Sequence, residues 1–401
     1  MLRGASIVCL SSIDWNFNQQ NPQEVSHAFA ESGNRVLFIE NTGVRSATLR
    51  DMPRLWSRFL HWWRARGGVK RIANGIEVLS PLVLPFPYSH TAVSINTRAL
   101  LRSIRSWISQ AEGPLIVITF LPTPLAHELI AELNPALVIY YCIDRLAESS
   151  PGARRLVHSE RKLFAEADLV LVTSNLLYQM AAEVSSHVSV VASGVRVDAF
   201  QRARQSRAQT HPAFAGLSRP IMGYVGSIRS STDIALLTSA AKLAPDLQFV
   251  LAGPRFIDVG SLGSQPNVRL IDPIPHEDVM NYMVRFDVGL LPYSINEFTA
   301  GIMPVKLKEY LAAGLPIVST PLPEVCHFAD QHCGLVRIAN TAKEFEASLR
   351  AALADNSPEV VDRRIAVARE YDWSGQMARM MELIEESLAI KQEPKRRSQS
   401  L

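Results

Sequence analysis

Short, unbroken runs of β-branched and other apolar residues recur along this chain, each followed by a longer stretch with helical spacing. Ser6-Ile7-Val8-Cys9-Leu10 is the first run and Val36-Leu37-Phe38-Ile39-Glu40 the second, with a helical segment at 22–32 stopped by Gly33. Runs at 115–120, 137–141 and 169–172 continue the series. A strand wetted on one face alternates apolar and polar residues. Unbroken runs fit a parallel sheet covered on both faces, with the intervening helices as crossovers. The pattern predicts an α/β architecture.

The polar stretch 201–219 reads as a linker, after which the alternation restarts with strands at 221–225, 247–251, 268–271, 288–291 and 317–319. At roughly 150 residues per domain, 401 residues give two to three domains, and the restarted alternation reads as two doubly wound, Rossmann-like halves, 1–200 and 220–371, facing a cleft. A last helix is expected over 372–390, and the charged, Ser-rich residues 391–401 read as a disordered tail. With 41 basic against 38 acidic residues the charge is too balanced for a dedicated nucleic-acid binder. The four cysteines form no CxxC pair, which argues against a zinc ribbon or a disulfide framework and for a reducing cytoplasm. The first apolar run is too short for a signal-peptide core, and no window approaches the ~20 apolar residues of a membrane span. A soluble or peripheral protein of the cytoplasm is expected.

Ligands of open α/β sheets sit at the carboxyl ends of the strands, and phosphates favour helix N-termini there. Two segments fit. In Gly223-Tyr224-Val225-Gly226-Ser227-Ile228-Arg229 the Gly226-Ser227 turn lets a ligand approach the backbone, and Arg229 can pair with its charge. The dinucleotide fingerprint G-x-G-x-x-G is absent. In Pro304-Val305-Lys306-Leu307-Lys308-Glu309-Tyr310-Leu311-Ala312-Ala313-Gly314-Leu315-Pro316, Pro304 suits a helix start and Gly314 its end. Lys306 and Glu309 are three apart and share a helix face. A lysine at a helix N-terminus is disfavoured unless it serves an anion. Lysine on a diphosphate and glutamate on a ribose make a sensible pair; an exposed ion pair accounts for the same spacing.

The P-x-K-x-x-E-Y-L-A-x-G-x-P segment resembles the nucleotide-sugar site of GT-B glycosyltransferases. Gly223-Tyr224-Val225-Gly226-Ser227 is similar to the opening turn of their donor domain, and Ser193-Gly194-Val195-Arg196-Val197-Asp198-Ala199-Phe200 to the end of their acceptor domain. Leu251-Ala252-Gly253-Pro254, Asn267-Val268-Arg269-Leu270 and Phe286-Asp287-Val288-Gly289-Leu290-Leu291-Pro292-Tyr293 follow in the family's order. The likeness is to enzymes of bacterial surface-polysaccharide synthesis, of teichuronic-acid type and of the xanthan glucuronosyltransferase family. It implies two Rossmann-like domains, with the last helix crossing back to the first. The donor it implies is a UDP- or GDP-sugar, bound by Gly226, Ser227, Arg229, Lys306 and Glu309 as substrate, with no cofactor and no metal.

The chain departs from the large retaining families, which carry two glutamates eight apart: Gly301 stands where the first belongs, and Glu297 is out of register. Ile139-Tyr140-Tyr141-Cys142-Ile143-Asp144-Arg145 instead resembles the strand end that carries the general base of the xanthan glucuronosyltransferase family. Asp144 as base implies inversion; the wider likeness to retaining enzymes implies the reverse. A helix N-cap is the plainer role for Asp144. Ser12 and Asp14, in Ser11-Ser12-Ile13-Asp14-Trp15, resemble the same family's first-strand loop and are assigned to the acceptor. Between Arg45 and Arg71 eight basic residues face one acid, Asp51, with Trp56, Trp62 and Trp63 among them. This reads as an amphipathic segment for an anionic membrane, beside the site of a saccharide or polyprenyl-linked acceptor, on the inner face of the cytoplasmic membrane. A packed helix with solvated arginines is the alternative. A nucleotide-sugar epimerase of the same fold would leave that stretch unexplained, and a non-catalytic sugar-binding protein is the third reading.

Overall fold

The computed structural model describes residues 2–16, 20–43, 69–149, 152–205 and 211–399, which form two compact units, Met1–Val191 with Met377–Leu401, and Ala192–Gln376. The first unit holds an eight-stranded sheet of β1 (Ser6–Leu10), β2 (Arg35–Ile39), β3 (Lys70–Ala73), β4 (Ile76–Leu79), β5 (Leu115–Thr119), β6 (Leu137–Cys142), β7 (Leu169–Val172) and β8 (Val188–Val190). Their order is β3-β4-β2-β1-β5-β6-β7-β8. Every pairing is parallel except the β3–β4 edge hairpin. The sequence pattern misses β3, β4 and β8: the edge strands β3 and β8 are half-exposed or exposed and carry no apolar run, and Glu77 interrupts that of β4. The central strands β1, β2, β5, β6 and β7 are buried almost throughout, as their composition demands.

The second unit holds β9 (Ile221–Val225), β10 (Gln248–Ala252), β11 (Val268–Ile271), β12 (Val288–Leu291), β13 (Ile317–Ser319) and β14 (Val336–Ile338), all parallel, in the order β11-β10-β9-β12-β13-β14. This is the doubly wound order of a Rossmann-like sheet, and the strand order reverses between β9 and β12. In the first unit the reversal lies between β1 and β5. Loops at the carboxyl ends of these strands are where each unit can bind a ligand.

Residues 201–205 and 211–219 of the polar stretch lie inside the second unit. Residues 201–205 complete the helix Val197–Gln205, which buries Val197, Phe200 and Ala203 while Arg202 faces solvent. Phe214, in the short turn Pro212–Phe214, packs against the core. The backbone also stays helical to the end of Trp373–Gln399, beyond residue 390. Lys, Glu, Gln and Arg are good helix formers, so a charged composition does not stop a helix already begun. Among the described residues no helix is long and apolar enough to cross a membrane.

Candidate functional site

The second unit's site starts where β9 ends. Gly226 has φ +149°, and a Cβ built on it would lie 2.4 Å from Lys306 Cε and 2.6 Å from Lys306 Nζ. Gly253, at the end of β10, has φ +141°, and its Cβ would lie 2.3 Å from the Gly226 carbonyl oxygen. Both backbones occupy a region that L side chains rarely adopt. The loops lie side by side, with the Gly226 N–H on Ala252 O at 2.8 Å and the Ile228 N–H on Pro254 O at 2.9 Å. The lysine side chain occupies the space that the missing Cβ leaves.

Lys306 is the second residue of the helix Val305–Ala312. Pro304 begins the helix and makes no side-chain cap, which leaves first-turn N–H groups for a ligand. Leu307, Tyr310 and Leu311 fill the core, and the Tyr310 hydroxyl donates toward Gly223 O and Leu290 O at 3.2 and 3.3 Å. The helix ends where the Gly314 N–H meets Leu311 O and the Leu315 N–H meets Tyr310 O, both at 2.9 Å. Lys306 and Glu309 share its half-buried face.

The Lys306 ammonium lies 5.2 Å from the centre of the Tyr224 ring. Burial opposes its charge, but Tyr293, Tyr224 and Glu309 outweigh that and hold its pKa above that of an ordinary lysine. Burial pushes the Glu309 carboxyl upward, against Lys306 and His276. The Arg229 guanidinium stacks over Phe256 at 4.0 Å, and burial lowers its pKa. Among the described residues no salt bridge neutralises Lys306 or Arg229. Two cations beside an uncapped helix start and a glycine turn are an arrangement that can receive an anion.

Gly226, Ser227, Arg229, Lys306 and Glu309 thus fall on adjoining loops and one helix of the second unit, with Ser227 O accepting the Tyr224 hydroxyl at 3.0 Å. Gly253, Tyr224, Tyr293, Phe256 and His276 complete this neighbourhood; the first three stand inside the quoted motifs without an assigned role, and Phe256 and His276 were not singled out from the sequence. Gly253 had a signal, a glycine at the end of the next strand in the same position as Gly226. The others come together only through the fold.

In the first unit, Ser12 and Asp14 occupy the half-buried loop after β1. Asn41 donates to Ser12 O at 2.7 Å, and the buried Glu40 accepts from the Trp15 N–H at 2.8 Å and the Ser80 hydroxyl at 2.5 Å. Asp144 follows β6, separated from that loop by β5 in the sheet order. The short helix Leu146–Glu148 starts after Arg145 and has no side-chain cap, so Asp144 does not serve as an N-cap there. Among the described residues its carboxylate has neither a hydrogen-bond nor an ion-pair partner. Burial pushes its pKa up to about 6. The Thr173 hydroxyl on Ile143 O at 2.7 Å and the Cys142 thiol on Asp144 O at 3.7 Å fix the backbone around it. Trp56, Trp62 and Trp63 lie outside the described residues. Among the described residues no three His, Cys, Asp or Glu side chains gather as a metal site would require.

Residues 219–355 match the family described as glycosyl transferases group 1. The chain is similar to the putative teichuronic acid biosynthesis glycosyltransferase TuaH of Bacillus subtilis, 26% identical over 256 residues. That match spans 59% of this chain and 64% of the relative's length. Among solved structures, sucrose-phosphate synthase from Thermosynechococcus elongatus superposes with a TM-score of 0.70 at 16% identity, over 96% of this chain and 100% of that one. The Anabaena protein Alr3699/HepE in complex with UDP-glucose superposes with a TM-score of 0.64 at 11% identity, over 95% of this chain and 100% of that one. With its two doubly wound sheets, the chain has the GT-B fold of the structures it superposes on, and the match to glycosyl transferases group 1 falls within its second unit.

Proposed function

We propose that this protein transfers a sugar from a nucleoside-diphosphate sugar to a saccharide acceptor, lipid-linked and destined for a surface polysaccharide. The observation that carries the reading is the Lys306 ammonium seated over Gly226 at the start of a helix, with no salt bridge to it among the described residues. Lys306, Arg229 and the Gly226-Ser227 turn hold the diphosphate, and Glu309 holds the ribose hydroxyls. The similar protein whose structure contains UDP-glucose supports a UDP-sugar as donor. The similarity to a teichuronic acid enzyme supports a surface-polysaccharide acceptor. The basic, Trp-rich stretch around Trp56, Trp62 and Trp63 supports work at the inner face of an anionic membrane.

In the reaction, an acceptor hydroxyl oxygen bonds to the anomeric carbon, and the bond from that carbon to the diphosphate oxygen breaks. The nucleoside diphosphate leaves with the electron pair, its charge met by Lys306, Arg229 and the helix start. Asp144 takes the hydroxyl proton. A carboxylate with a pKa near 6 and no hydrogen bond among the described residues is suited to that task and is ionised at neutral pH. A single displacement of this kind inverts the anomeric centre.

The test incubates the purified chain with labelled UDP- and GDP-sugars, with and without membrane lipid extract. Transfer of label to lipid is expected, and a chain that consumes no donor in either condition refutes the reading. Asp144→Asn should lower transfer by ~10²–10⁴-fold while nucleotide binding is kept. The wild-type rate should fall as pH drops through about 6, because the base is then protonated. An active Asn variant, or retention of the anomeric configuration, removes Asp144 from this role.

A further inference from the structure

The first unit's sheet reverses its strand order between β1 and β5, and a small cavity opens at the carboxyl ends of these strands and of β2. An open α/β sheet binds its ligands at such a point. Leu10 and Ile39 from the strands and Leu121 from the loop after β5 form part of its wall. Leu100 from the helix His90–Ile108, and Leu125 and Ala126 from the helix Pro124–Leu133, form the rest. All six are buried. The centre of a water-sized sphere moves through only about 10 Å³ of it. That is room for one small group.

The polar lining includes Ser11, Glu40 and Thr123, which follow β1, β2 and β5. Two of these hydroxyls serve the backbone. The Ser11 hydroxyl donates to Ile13 O at 2.9 Å and accepts the Ile13 N–H at 3.1 Å, and Thr123 accepts the Ala126 N–H at 3.3 Å. Glu40 is 7% exposed, and its two oxygens are held by the Trp15 N–H and the Ser80 hydroxyl. A carboxylate offers about four acceptor sites, so Glu40 is fixed in place with capacity left.

This lining selects its occupant. Among the described residues no lysine, arginine or histidine lines the cavity, and the Glu40 carboxylate disfavours an anion, so a phosphate does not fit. A lipid chain or a whole sugar ring is too large. A water molecule needs two to four polar partners and meets mostly aliphatic carbon. A methyl group matches both the volume and the walls, and a hydroxyl on the same molecule matches Glu40. We propose that this cavity seats the methyl group of a 6-deoxy or N-acetyl acceptor sugar while Glu40 accepts one of its hydroxyls. The site rests on the proposed function for the presence of a saccharide acceptor and adds the class of that saccharide. In the sheet order the loop after β5 stands between β1 and the loop that carries Asp144, so the sugar is held one strand from the proposed base.

The experiment is saturation-transfer NMR on the full chain, with and without UDP, using free sugars in matched pairs. The pairs are L-rhamnose and L-mannose, L-fucose and L-galactose, and N-acetylglucosamine and N-formylglucosamine. In at least one pair the methyl-bearing sugar should bind roughly ten- to a hundredfold more tightly, with saturation strongest on its methyl protons. The pair that responds tells a 6-deoxy from an N-acetyl methyl. Ala126→Val fills the cavity and should erase the preference, and Leu125→Ala widens it and should admit the hydroxymethyl sugar. Glu40→Gln should weaken both members of the pair alike, because they share the hydroxyl. Thermal unfolding checks each variant, and the wild-type comparison within pairs needs none of them. Equal binding within every pair, or no saturation of any methyl, overturns the proposal. An Ala126→Val chain that is more stable and keeps the preference overturns it too, since the cavity is then a packing void. Donor consumption is measured separately. A methyl preference without transfer counts against the proposed function and keeps the sugar site, whereas transfer without the preference removes the methyl site alone.

Discussion

At the scale of single residues, the second unit's site depends on one side chain being where another is missing. Gly226 lacks the Cβ that would lie 2.6 Å from Lys306 Nζ, so the ammonium rests on the turn after β9. A lysine in a helix's first turn is worked against by the dipole, and burial adds to the cost of its charge. Anion binding reverses both effects. Lys306→Ala should therefore cut turnover strongly and leave folding nearly unchanged. Loss of one charge contact to a departing group costs ~2.7–4 kcal/mol of barrier, about a hundredfold or more in rate. Gly226→Ala should displace the same ammonium from the other side and lower turnover while keeping the charge. Steady-state kinetics on the purified variants checks both, and near-normal turnover of Lys306→Ala would take the lysine out of the proposed diphosphate site.

At the scale of elements, the helix Val305–Ala312 holds a second lysine with a different fate. Lys308 is 1% exposed, donates to Ser193 O at 2.9 Å and lies 4.7 Å from the Tyr371 ring. Burial lowers its pKa to about 7. The unfolded chain keeps its proton to about pH 10.4. Between those values the unfolded state binds the extra proton, so stability rises with pH from about 7 upward. Lys308→Met keeps the packing and removes the titration, so the difference in stability between wild type and variant should change with pH only in that window. Urea unfolding at a series of pH values measures it, and a constant difference would mean that Lys308 stays charged. The two lysines also mark what sequence can tell. Lys306 and Glu309 were legible because three-residue spacing on one helix is local. The burial of Lys308, and the approach of Gly253, Tyr293 and Phe256, depend on packing between strands and loops far apart in the chain. The same holds for strands: the apolar runs of β1, β5 and β7 announced themselves, whereas Lys70–Ala73 and Val188–Val190 are exposed edges with no pattern to read.

At the scale of the whole molecule, the first unit is assembled from two separate parts of the chain, because Met377–Leu401 belong with Met1–Val191. The returning helix carries Met380, Met381 and Ile384, 0%, 3% and 0% exposed. Met381 Sδ accepts the Ser32 hydroxyl at 3.5 Å, and Lys391 pairs with Asp168 at 2.5 Å. The ion pair is partly exposed and contributes only ~0–1 kcal/mol. Each buried apolar side chain contributes about 1.5–3 kcal/mol as an upper estimate. The apolar contacts therefore decide the outcome, and their sum is comparable to the ~5–15 kcal/mol by which a folded chain exceeds its unfolded state. Removing residues 377–401 should destabilise the first unit far more than Lys391→Ala does. Hydrogen exchange followed by mass spectrometry separates the two units: peptides covering β1, β5 and β6 should lose protection in the truncated chain, while those covering β9 and β12 keep theirs. Unchanged protection in β1 would mean that the first unit folds without its returning helix, and that the buried methionines stabilise the helix rather than the sheet.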